Sequence, residues 1–438
     1  MELKESFVRD ALLRLAKRQP LLRAVIKIVS NSSWFGQSNE SYFKIIEPNK
    51  IGDMIDLTTS DVNASQWQKG WYDTVMSQVK TGLLWRAVLF AEEYLPNSEK
   101  YVNTIIFRVN HSIVDGVSGM SLCKQFLSHL NSVAENTQVC SEDAPSHELL
   151  PSFYEMINST RSRSTSTDLQ EYVGLHFICK FMKRLKLCIS LASKPEKPYP
   201  FFMTQPSVKV CDLVYKVFSE KRTSRIRNVC RSKGVTVTGA LMAAAHKAFC
   251  KLIKNQDLVI AKEQDLMHLF AINGVRFCEP NPPAEYVGNF VMSEMLPMSC
   301  NTEDFWSMAQ EATKQIHTII REGKDISANL AELDIFTPRE VVNEFHSPLD
   351  PKKKLLLFIH NFISSAGAFT YDDSTSMYKL YECLYYSVPF GFASFASHFN
   401  TTVNGKMSWV IICSKFVPGK IEEQFAALCF DILENETR

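Results

Sequence analysis

The sequence predicts an α/β protein whose β-sheet is mixed rather than purely parallel and whose chain folds as two halves. Three observations support this prediction. Strand-like runs alternate with helix-like runs in which apolar residues recur every three or four positions. Asn404-Gly405 lies between the strand-like runs 394–403 and 406–415, which is typical of a tight hairpin with a type I′ turn. Residues 131–170, which are rich in Ser, Thr, Glu and Pro, and the proline-rich run 194–200 separate the two halves.

The first half begins with a helix and continues with strands. Pro20 ends the helical run, and residues 21–29 after it are strand-like. The runs 84–90 and 102–109 are also strand-like and are predicted to pair as neighbours, and a helix-like run at about 117–130 follows them. The apolar residues that give the first run its helical spacing are Phe7, Ala11, Leu12, Leu15 and Ala16.

The second half returns to regular elements. Residues 208–218 are strand-like, and 220–233 are helix-like with Gly234 as the expected C-terminal cap. Thr238 is predicted to cap a second helix over 239–254, whose small residues suit close packing. Further strand-like runs lie at 266–273, 290–296 and 354–363, and further helix-like runs lie at 305–321 and 421–433.

These runs divide the chain into an N-terminal domain over 1–170, a crossover over 171–205 and a C-terminal domain over 206–438. The crossover contains residues 173–192, an apolar run that is interrupted by Lys and Arg side chains. Such a run is either a helix packed on the protein with its cations in water or a basic amphipathic helix in a membrane surface. Peripheral membrane contact through 173–192 therefore stays open as an alternative.

The composition limits the class of protein. The 438 residues carry 48 Lys and Arg against 47 Asp and Glu, a net charge of +1, which argues against a nucleic-acid binder because such proteins usually carry a strong basic excess. The 12 cysteines form no C-x-x-C pair, and the first residues show no signal sequence, so we expect a cytoplasmic protein with reduced thiols. The sequence contains no run of about 18 uncharged apolar residues, so no membrane span is predicted.

No set of His, Cys and Asp residues has the sequence spacing of zinc ligands, so no metal site is predicted. His246 lies on a helix-like run rich in alanine, and His268 and His360 lie on strand-like runs. We expect these three side chains to serve packing rather than chemistry.

The residues His111-Ser-Ile-Val-Asp115-Gly116 join a strand-like run to a helix-like run. A histidine at such a corner can meet a substrate, and histidine side chains exchange protons near neutral pH, which suits a general base. The alternative is a histidine satisfied by backbone groups at a turn, with Asp115 as the N-cap of the helix that follows. The motif alone leaves both interpretations open.

Five segments in order along the chain resemble the CoA-dependent acyltransferase superfamily that carries an HxxxD motif. This superfamily includes plant-type BAHD acyltransferases, alcohol O-acetyltransferases, wax ester synthases and the condensation domains of peptide synthetases. The segments are 7–26 with its Arg18-Gln-Pro-Leu-Leu-Arg23, the corner 110–116, 234–243, 272–289 with its Tyr286-Val-Gly-Asn289, and 363–367.

The resemblance implies two domains with the chloramphenicol acetyltransferase fold, each a mixed β-sheet with flanking helices, and an active-site tunnel between them. It also implies a monomer that binds acyl-CoA, for example acetyl-CoA, as a co-substrate and holds no tightly bound cofactor. His111 is then the general base that takes a proton from the hydroxyl of a small, fairly apolar acceptor. Acylation of an amine is a close variant.

The same resemblance implies supporting roles for other residues. Asp115 is expected to act structurally by pairing with Arg276, and a bidentate pair of this kind would hold the corner in place. The oxyanion formed on the thioester carbonyl needs hydrogen-bond donors. The candidate donors are the backbone N–H of Gly116 and the hydroxyls of Ser364 and Ser365, and the two serines are equally explained as polar strand residues. Asn289 is a supporting residue by its match to the family segment, and the alternative is that it only shapes a turn with Gly288.

The chain departs from the family pattern at two informative places. Asn110 stands where the HHxxxDG form has its first histidine, which weighs against condensation domains and wax synthases. Residues 388–393 lack the Asp and Trp of the BAHD "DFGWG" motif, which weighs against plant-type enzymes. Two alternatives therefore stay open: a lipid or wax-ester-type acyltransferase at a membrane surface, and a non-catalytic HxxxD protein that binds a ligand.

Overall fold

The computed structural model describes residues 2–33, 36–69, 71, 82–135, 146–159, 213–255, 265–300, 304–322, 359–371, 375–387, 394–413, 417 and 419–438. The predicted crossover 171–205, including the segment 173–192, lies outside the described residues, as does 388–393. Among the helices that are described, none is long and apolar enough to cross a membrane.

The chain forms two compact units. The first comprises Met1–Phe153, Asn281–Phe290 and Tyr371–Tyr381, and the second comprises Tyr154–Pro280, Val291–Thr370 and Glu382–Arg438. The first unit thus takes two segments from the second half of the sequence. The predicted domain limits at 170 and 205 stay a prediction, because both positions fall in the undescribed stretch 160–212.

The first unit begins with helix α1 (Glu5–Arg18) and a 3-10 turn (Pro20–Arg23), as the break at Pro20 predicts. Its strands are β1 (Ala24–Ser33), β2 (Gly36–Ile45), β3 (Leu57–Asn63), β4 (Trp85–Ala91), β5 (Glu93–Leu95), β6 (Lys100–Val102) and β7 (Ile105–Val109). Helix α2 (Gly116–Ala134) follows β7, and a short helix α3 (Phe153–Ser159) begins where the unit ends.

Strands β3, β4 and β7 form a small mixed sheet in this unit. β3 runs parallel to β4, and β4 runs antiparallel to β7, so the predicted pairing of the runs 84–90 and 102–109 is confirmed. Helices α1 and α2 pack on each other. The buried core that joins them to the sheet includes Leu12, Leu15, Trp85, Ile113 and Phe126. Strand β7 therefore delivers the chain from a packed core directly to residues 110–115.

The second unit contains six described strands in one sheet. The strands are β8 (Val214–Phe218), β9 (Asp265–Asn273), β10 (Val291–Ser299), β11 (Ile359–Phe369), β12 (Ser394–Val403) and β13 (Lys406–Cys413), in the order β10-β9-β11-β12-β13-β8. β11 is parallel to β9 and β12, and the other neighbours are antiparallel. The predicted mixed sheet is confirmed. The turn at Asn404 (φ 47°) and Gly405 (φ 79°) has the positive φ angles of a type I′ turn.

Four helices of this unit are described: α4 (Glu220–Ser232), α5 (Val237–Asn255), α6 (Phe305–Glu322) and α7 (Gly419–Glu436). Gly234 follows α4 with φ 69°, which confirms it as a left-handed cap. The prediction that Thr238 caps the next helix is wrong. Helix α5 already begins at Val237, and the Thr236 Oγ1 accepts the N–H of Gly239 at 3.0 Å. The side chain of an N-cap residue accepts the N–H of the residue two or three positions later in the helix. Thr236 directly precedes the first helical residue and can make this bond, whereas Thr238 already lies inside the helix.

Candidate active site

His111 lies on a turn where the chain leaves β7 and enters α2. Asn110 holds this turn: its backbone N–H donates to the carbonyl O of Leu84 at 2.7 Å, and its Oδ1 accepts the N–H of Ser112 at 3.0 Å. The side chain of His111 is exposed, whereas Ile113 is fully buried. The corner therefore presents one imidazole to solvent from an anchored turn.

Asp115 anchors the corner through both carboxylate oxygens. Oδ1 accepts the N–H of Ser118 at 2.7 Å, which makes Asp115 the N-cap of α2, and Oδ2 accepts the N–H of Phe290 at 2.8 Å. Its backbone N–H donates to the carbonyl O of Gly288 at 3.0 Å. The residue is 6% exposed, so these bonds form away from water, where charge-assisted hydrogen bonds are strong. The interpretation of Asp115 as an N-cap is confirmed.

Polar side chains on the same face of α2 continue this attachment along residues 284–290. Positions three and four apart share one face of a helix, so the four side chains at 115, 118, 121 and 125 form a polar stripe. The further bonds of the stripe are from Gly288 N–H to Ser118 Oγ (3.2 Å), from Ser121 Oγ to Ala284 O (3.0 Å), and from Gln125 Nε2 to Glu285 O (2.9 Å). The stripe binds backbone atoms of 284–290, so it fixes that segment whatever side chains the segment carries.

Gln19 completes this attachment and was given no role by the sequence analysis. It is fully buried, its Nε2 donates to Glu285 O at 2.7 Å and to Gln125 Oε1 at 2.8 Å, and its Oε1 accepts the N–H of Val287 at 3.3 Å. Position 19 lies between the end of an amphipathic helix and Pro20 and directly follows Lys17 and Arg18, so the local sequence does not mark it as a buried residue. Two of its partners, Glu285 and Val287, lie more than 260 residues away in the sequence, which no local pattern indicates.

Arg276 lies in a 3-10 turn after β9 and belongs to the second unit. Its side chain is exposed, and its Nε donates to the carbonyl O of Asn273 at 3.1 Å. Asp115 belongs to the first unit. The predicted pair of Asp115 and Arg276 stays a prediction.

Ser364 and Ser365 lie on β11 in the second unit, next to a register shift against β12 between Ser365 and Gly367. The Tyr385 hydroxyl donates to the carbonyl O of Ser364 at 2.5 Å and lies 3.0 Å from its Oγ. The Ser365 hydroxyl donates to Asn400 Oδ1 at 3.2 Å. Both serines are thus part of hydrogen-bonded groups, and their role as oxyanion donors stays a prediction.

Gly116 is the first residue of α2, where a backbone N–H has no carbonyl partner one turn earlier in the helix. Asn289 is half-buried between Gly288 and Phe290, the two residues that Asp115 holds. A Cβ on Gly288 would lie 2.5 Å from the ring of Phe290, so this position requires glycine. Gly116 follows Asp115 in the chain and Asn289 lies between the two residues that Asp115 binds, and the chemical roles of both stay predictions.

Four histidines of the second unit are buried and joined to one another: His246 on α5, His268 on β9, His360 on β11 and His398 on β12. His398 Nε2 lies 3.0 Å from Asn361 Oδ1, Asn361 Nδ2 lies 3.3 Å from His268 Nδ1, and His268 Nε2 lies 3.0 Å from His246 Nδ1. Burial lowers the pKa of His398 to about 3 and those of His246 and His360 to about 4. The burial of His246, His268 and His360 confirms that these side chains are packed in the core.

The expectation of no metal site rested on sequence spacing, and the fold brings together three side chains of the metal-ligand type that spacing does not show. His246 and Cys250 share a face of α5, and Cys300 comes beside them from the end of β10. Cys300 is 50 residues away from Cys250 in the sequence, so only the pairing of β9 with β10 and the packing of α5 bring the three together.

Residues 74–345 match the sequence profile of the alcohol acetyltransferase family, which is more than half of the chain. The matched stretch contains the corner 110–116, Arg276 and the segment 284–290, and it ends before Ser364 and Ser365. No curated protein sequence matches the chain.

Solved structures match nearly the whole chain at low identity. The TRI3 trichothecene 15-O-acetyltransferase from Fusarium sporotrichioides is 10% identical, with a TM-score of 0.67 over 99% of this chain and 86% of that one. The epimerization domain from the third module of tyrocidine synthetase B is 14% identical, with a TM-score of 0.60 over 99% and 89%. Polyketide synthase associated protein 5 from Mycobacterium tuberculosis is 14% identical, with a TM-score of 0.56 over 99% and 90%. These matches show that the chain has this two-lobed α/β fold.

Proposed function

This chain belongs to the alcohol acetyltransferase family and is an O-acyltransferase, and from that premise we propose that it transfers an acetyl group from acetyl-CoA to the hydroxyl of a small, fairly apolar alcohol. The observation that carries the proposal is the anchored corner: an exposed His111 on a turn whose next residues are fixed by Asp115, inside the stretch that matches the family.

His111 acts as the general base in this proposal. Its imidazole takes the proton of the acceptor hydroxyl as the oxygen attacks the thioester carbonyl carbon of acetyl-CoA. The carbon–sulfur bond then breaks, and the imidazolium returns its proton to the departing CoA thiolate, so that the ester, free CoA and neutral His111 remain. A positioned base contributes about 10²–10⁴-fold to such a reaction, and binding both substrates together adds a proximity effect.

Asp115 supports the base by geometry. Its carboxylate is occupied by two backbone N–H groups, so within the first unit it works as an anchor. The negative charge that develops on the thioester oxygen needs donors, for which the N–H of Gly116 at the start of α2 and the hydroxyls of Ser364 and Ser365 are the candidates. We further propose that Arg276 and Asn289 hold the region as the family resemblance implies.

The decisive experiment measures CoA release from acetyl-CoA with a panel of alcohols, in wild type and in His111→Ala. We expect the variant to lose about 10²–10⁴-fold in kcat while keeping its melting temperature, because the side chain is exposed. His317→Ala is the matched control, since His317 is an exposed histidine on α6 and should keep full activity. Equal turnover in all three proteins would exclude His111 as the base. A parallel panel of amines separates O-acylation from N-acylation.

A further inference from the structure

Three side chains of the metal-ligand type meet beside the buried histidines of the second unit. His246 and Cys250 lie one turn apart on α5, and Cys300 directly follows β10. Cys250 Sγ is 3.6 Å from His246 Nε2 and 3.9 Å from Cys300 Sγ, and the three ligand atoms all lie within 4.8 Å of one another. His246 is 1% exposed, and both cysteines are half-buried.

These distances match the edges of a tetrahedral zinc site. Zinc binds thiolate sulfur at about 2.3 Å and imidazole nitrogen at about 2.0–2.1 Å, so tetrahedral angles place two sulfurs about 3.8 Å apart and a sulfur and a nitrogen about 3.6 Å apart. The sulfur–sulfur and sulfur–nitrogen separations here therefore need little adjustment to accept the ion. Zinc also binds imidazole and thiolate ligands well, whereas harder divalent ions such as Mg²⁺ and Ca²⁺ prefer oxygen ligands.

We propose that His246 Nε2, Cys250 Sγ and Cys300 Sγ bind one zinc ion, with water as the fourth ligand. The three protein atoms supply three of the four ligands of a tetrahedral ion, and both cysteines keep part of their surface exposed, which is compatible with water as the fourth ligand. Binding replaces the two thiol protons, which pass to solvent, and the two thiolates then neutralise the charge of the ion.

The charges near the site are compatible with a neutral zinc complex. Among the residues that the structure describes, two charged side chains act on Cys300, namely Asp265 and Lys254. Both are exposed and they carry opposite charges, so they largely offset each other. The complex of one divalent cation with two thiolates therefore adds no net charge to the half-buried site.

A second layer of contacts is also in place. A metal-binding histidine commonly donates its other ring N–H to a fixed partner, which sets the orientation of the ring. His246 Nδ1 lies 3.0 Å from His268 Nε2, and His268 in turn contacts Asn361. His246 Nε2 lies 3.2 Å from the carbonyl O of Ser299, so zinc at Nε2 would replace that one hydrogen bond. The site would tie α5 to the end of β10, apart from any step assigned to His111.

Metal titration of the full-length protein tests the site. Protein stripped by a chelator is titrated with Zn²⁺ against a chromophoric competitor and with Co²⁺, whose thiolate bonds give a charge-transfer absorption. We expect one equivalent per chain in wild type and an affinity at least about tenfold weaker in Cys300→Ser. Cys383→Ser is the matched control, because Cys383 is also half-buried and should leave binding unchanged. Equal binding and equal spectra for Cys300→Ser and wild type would overturn the proposal.

Alkylation of the unmodified protein gives a test that needs no variant. Excess Zn²⁺ should slow the reaction of iodoacetamide with Cys250 and Cys300 at least tenfold, measured by peptide mass spectrometry, and should leave the equally half-buried Cys123 and Cys383 unaffected. Unchanged alkylation of Cys250 and Cys300 would contradict a zinc site. A disulfide between the two in protein kept under a reductant would do so as well.

Discussion

Two regions of the molecule use histidine in opposite ways: the corner at His111 in the first unit and the buried histidines of the sheet in the second. In the first unit His111 is exposed on a turn, and the atoms that hold the turn belong to its neighbours Asn110 and Asp115. In the described part of the second unit, His268 and His398 lie within the sheet with no exposed surface, and their ring nitrogens face other buried groups. A histidine without access to solvent or substrate cannot act as a base, so placement rather than residue type separates the two regions.

The exposed side chain of His111 lies on a turn whose neighbouring residues are fixed by hydrogen bonds. Asp115 and the polar stripe of α2 bind the backbone of 284–290, and Gln19 binds it as well. The bonds from the N–H groups of Val287, Gly288 and Phe290 are buried, and losing one would leave a buried donor without a partner, which costs more than the bond itself contributes. The predictions below probe each part of this contrast, beginning with the largest effect.

The buried histidines should make the second unit sensitive to acid. Burial lowers the pKa of His360 to about 4 and that of His398 to about 3, whereas both return to about 6.5 on unfolding. The unfolded chain therefore binds more protons in the window from pH 6.5 down to about 4, and the free energy of unfolding falls as pH falls through it. Each histidine contributes about 1.4 kcal/mol per pH unit.

Denaturant unfolding of metal-free protein at several pH values measures this slope. His398→Gln should reduce the slope by about one proton, because Gln can still donate to Asn361 Oδ1 but does not titrate. His317→Gln, an exposed control, should leave it unchanged. If the free energy of unfolding of wild type did not vary between pH 6.5 and about 4, the buried histidines would not have the lowered pKa values on which this prediction depends.

Asp115→Asn should lower activity through geometry. Asn keeps one oxygen for the cap but turns its NH₂ toward the N–H of Phe290, which leaves a buried donor unpaired at about 1–3 kcal/mol in the free energy of unfolding. Acetyl transfer should fall about tenfold or more because the corner shifts. Asp304→Asn is the control: Asp304 caps α6 through the N–H of Ser307 from an exposed position, where Asn caps as well as Asp. Full activity and full stability in Asp115→Asn would refute the anchoring role.

Gln19→Leu should have a smaller effect. The carbonyl of Glu285 keeps its bond from Gln125, so the variant leaves chiefly the N–H of Val287 without an acceptor. We expect a loss of about 1 kcal/mol in the free energy of unfolding and a modest fall in kcat with little change in KM for acetyl-CoA. Thermal unfolding and steady-state kinetics test this, and a KM change without a kcat change would place Gln19 outside the support of the corner.

Asn110→Ala should have the smallest effect. The variant loses the bond from Ser112 N–H to Asn110 Oδ1, but both residues are exposed and water replaces it, so the free energy of unfolding should change by less than about 0.5 kcal/mol. Acetyl transfer should fall severalfold because the turn that carries His111 is looser. A loss as large as that of His111→Ala would assign Asn110 a direct part in the reaction.

Local sequence signals determined most of the elements and the position of the corner. Pro20 fixed the end of α1, Asn404-Gly405 fixed a hairpin through its positive φ angles, and Asp115 was recognisable as an N-cap. Each of these depends on residues within four positions of one another, where backbone geometry and hydrogen bonding act directly. The HxxxDG motif at the corner is also short, since it spans only residues 111–116.

Only the tertiary structure decided which distant groups share these places. Gln19 meets the segment 284–290, and Cys300 meets His246 and Cys250, across stretches of sequence that carry no common pattern. Such contacts arise because packed helices and paired strands bring together residues whose side chains satisfy each other once buried, and burial itself is a property of the whole fold. The sequence by itself therefore indicated His111 as a candidate base. The tertiary structure decided which distant residues fix the turn of His111 and which other histidines are buried away from solvent.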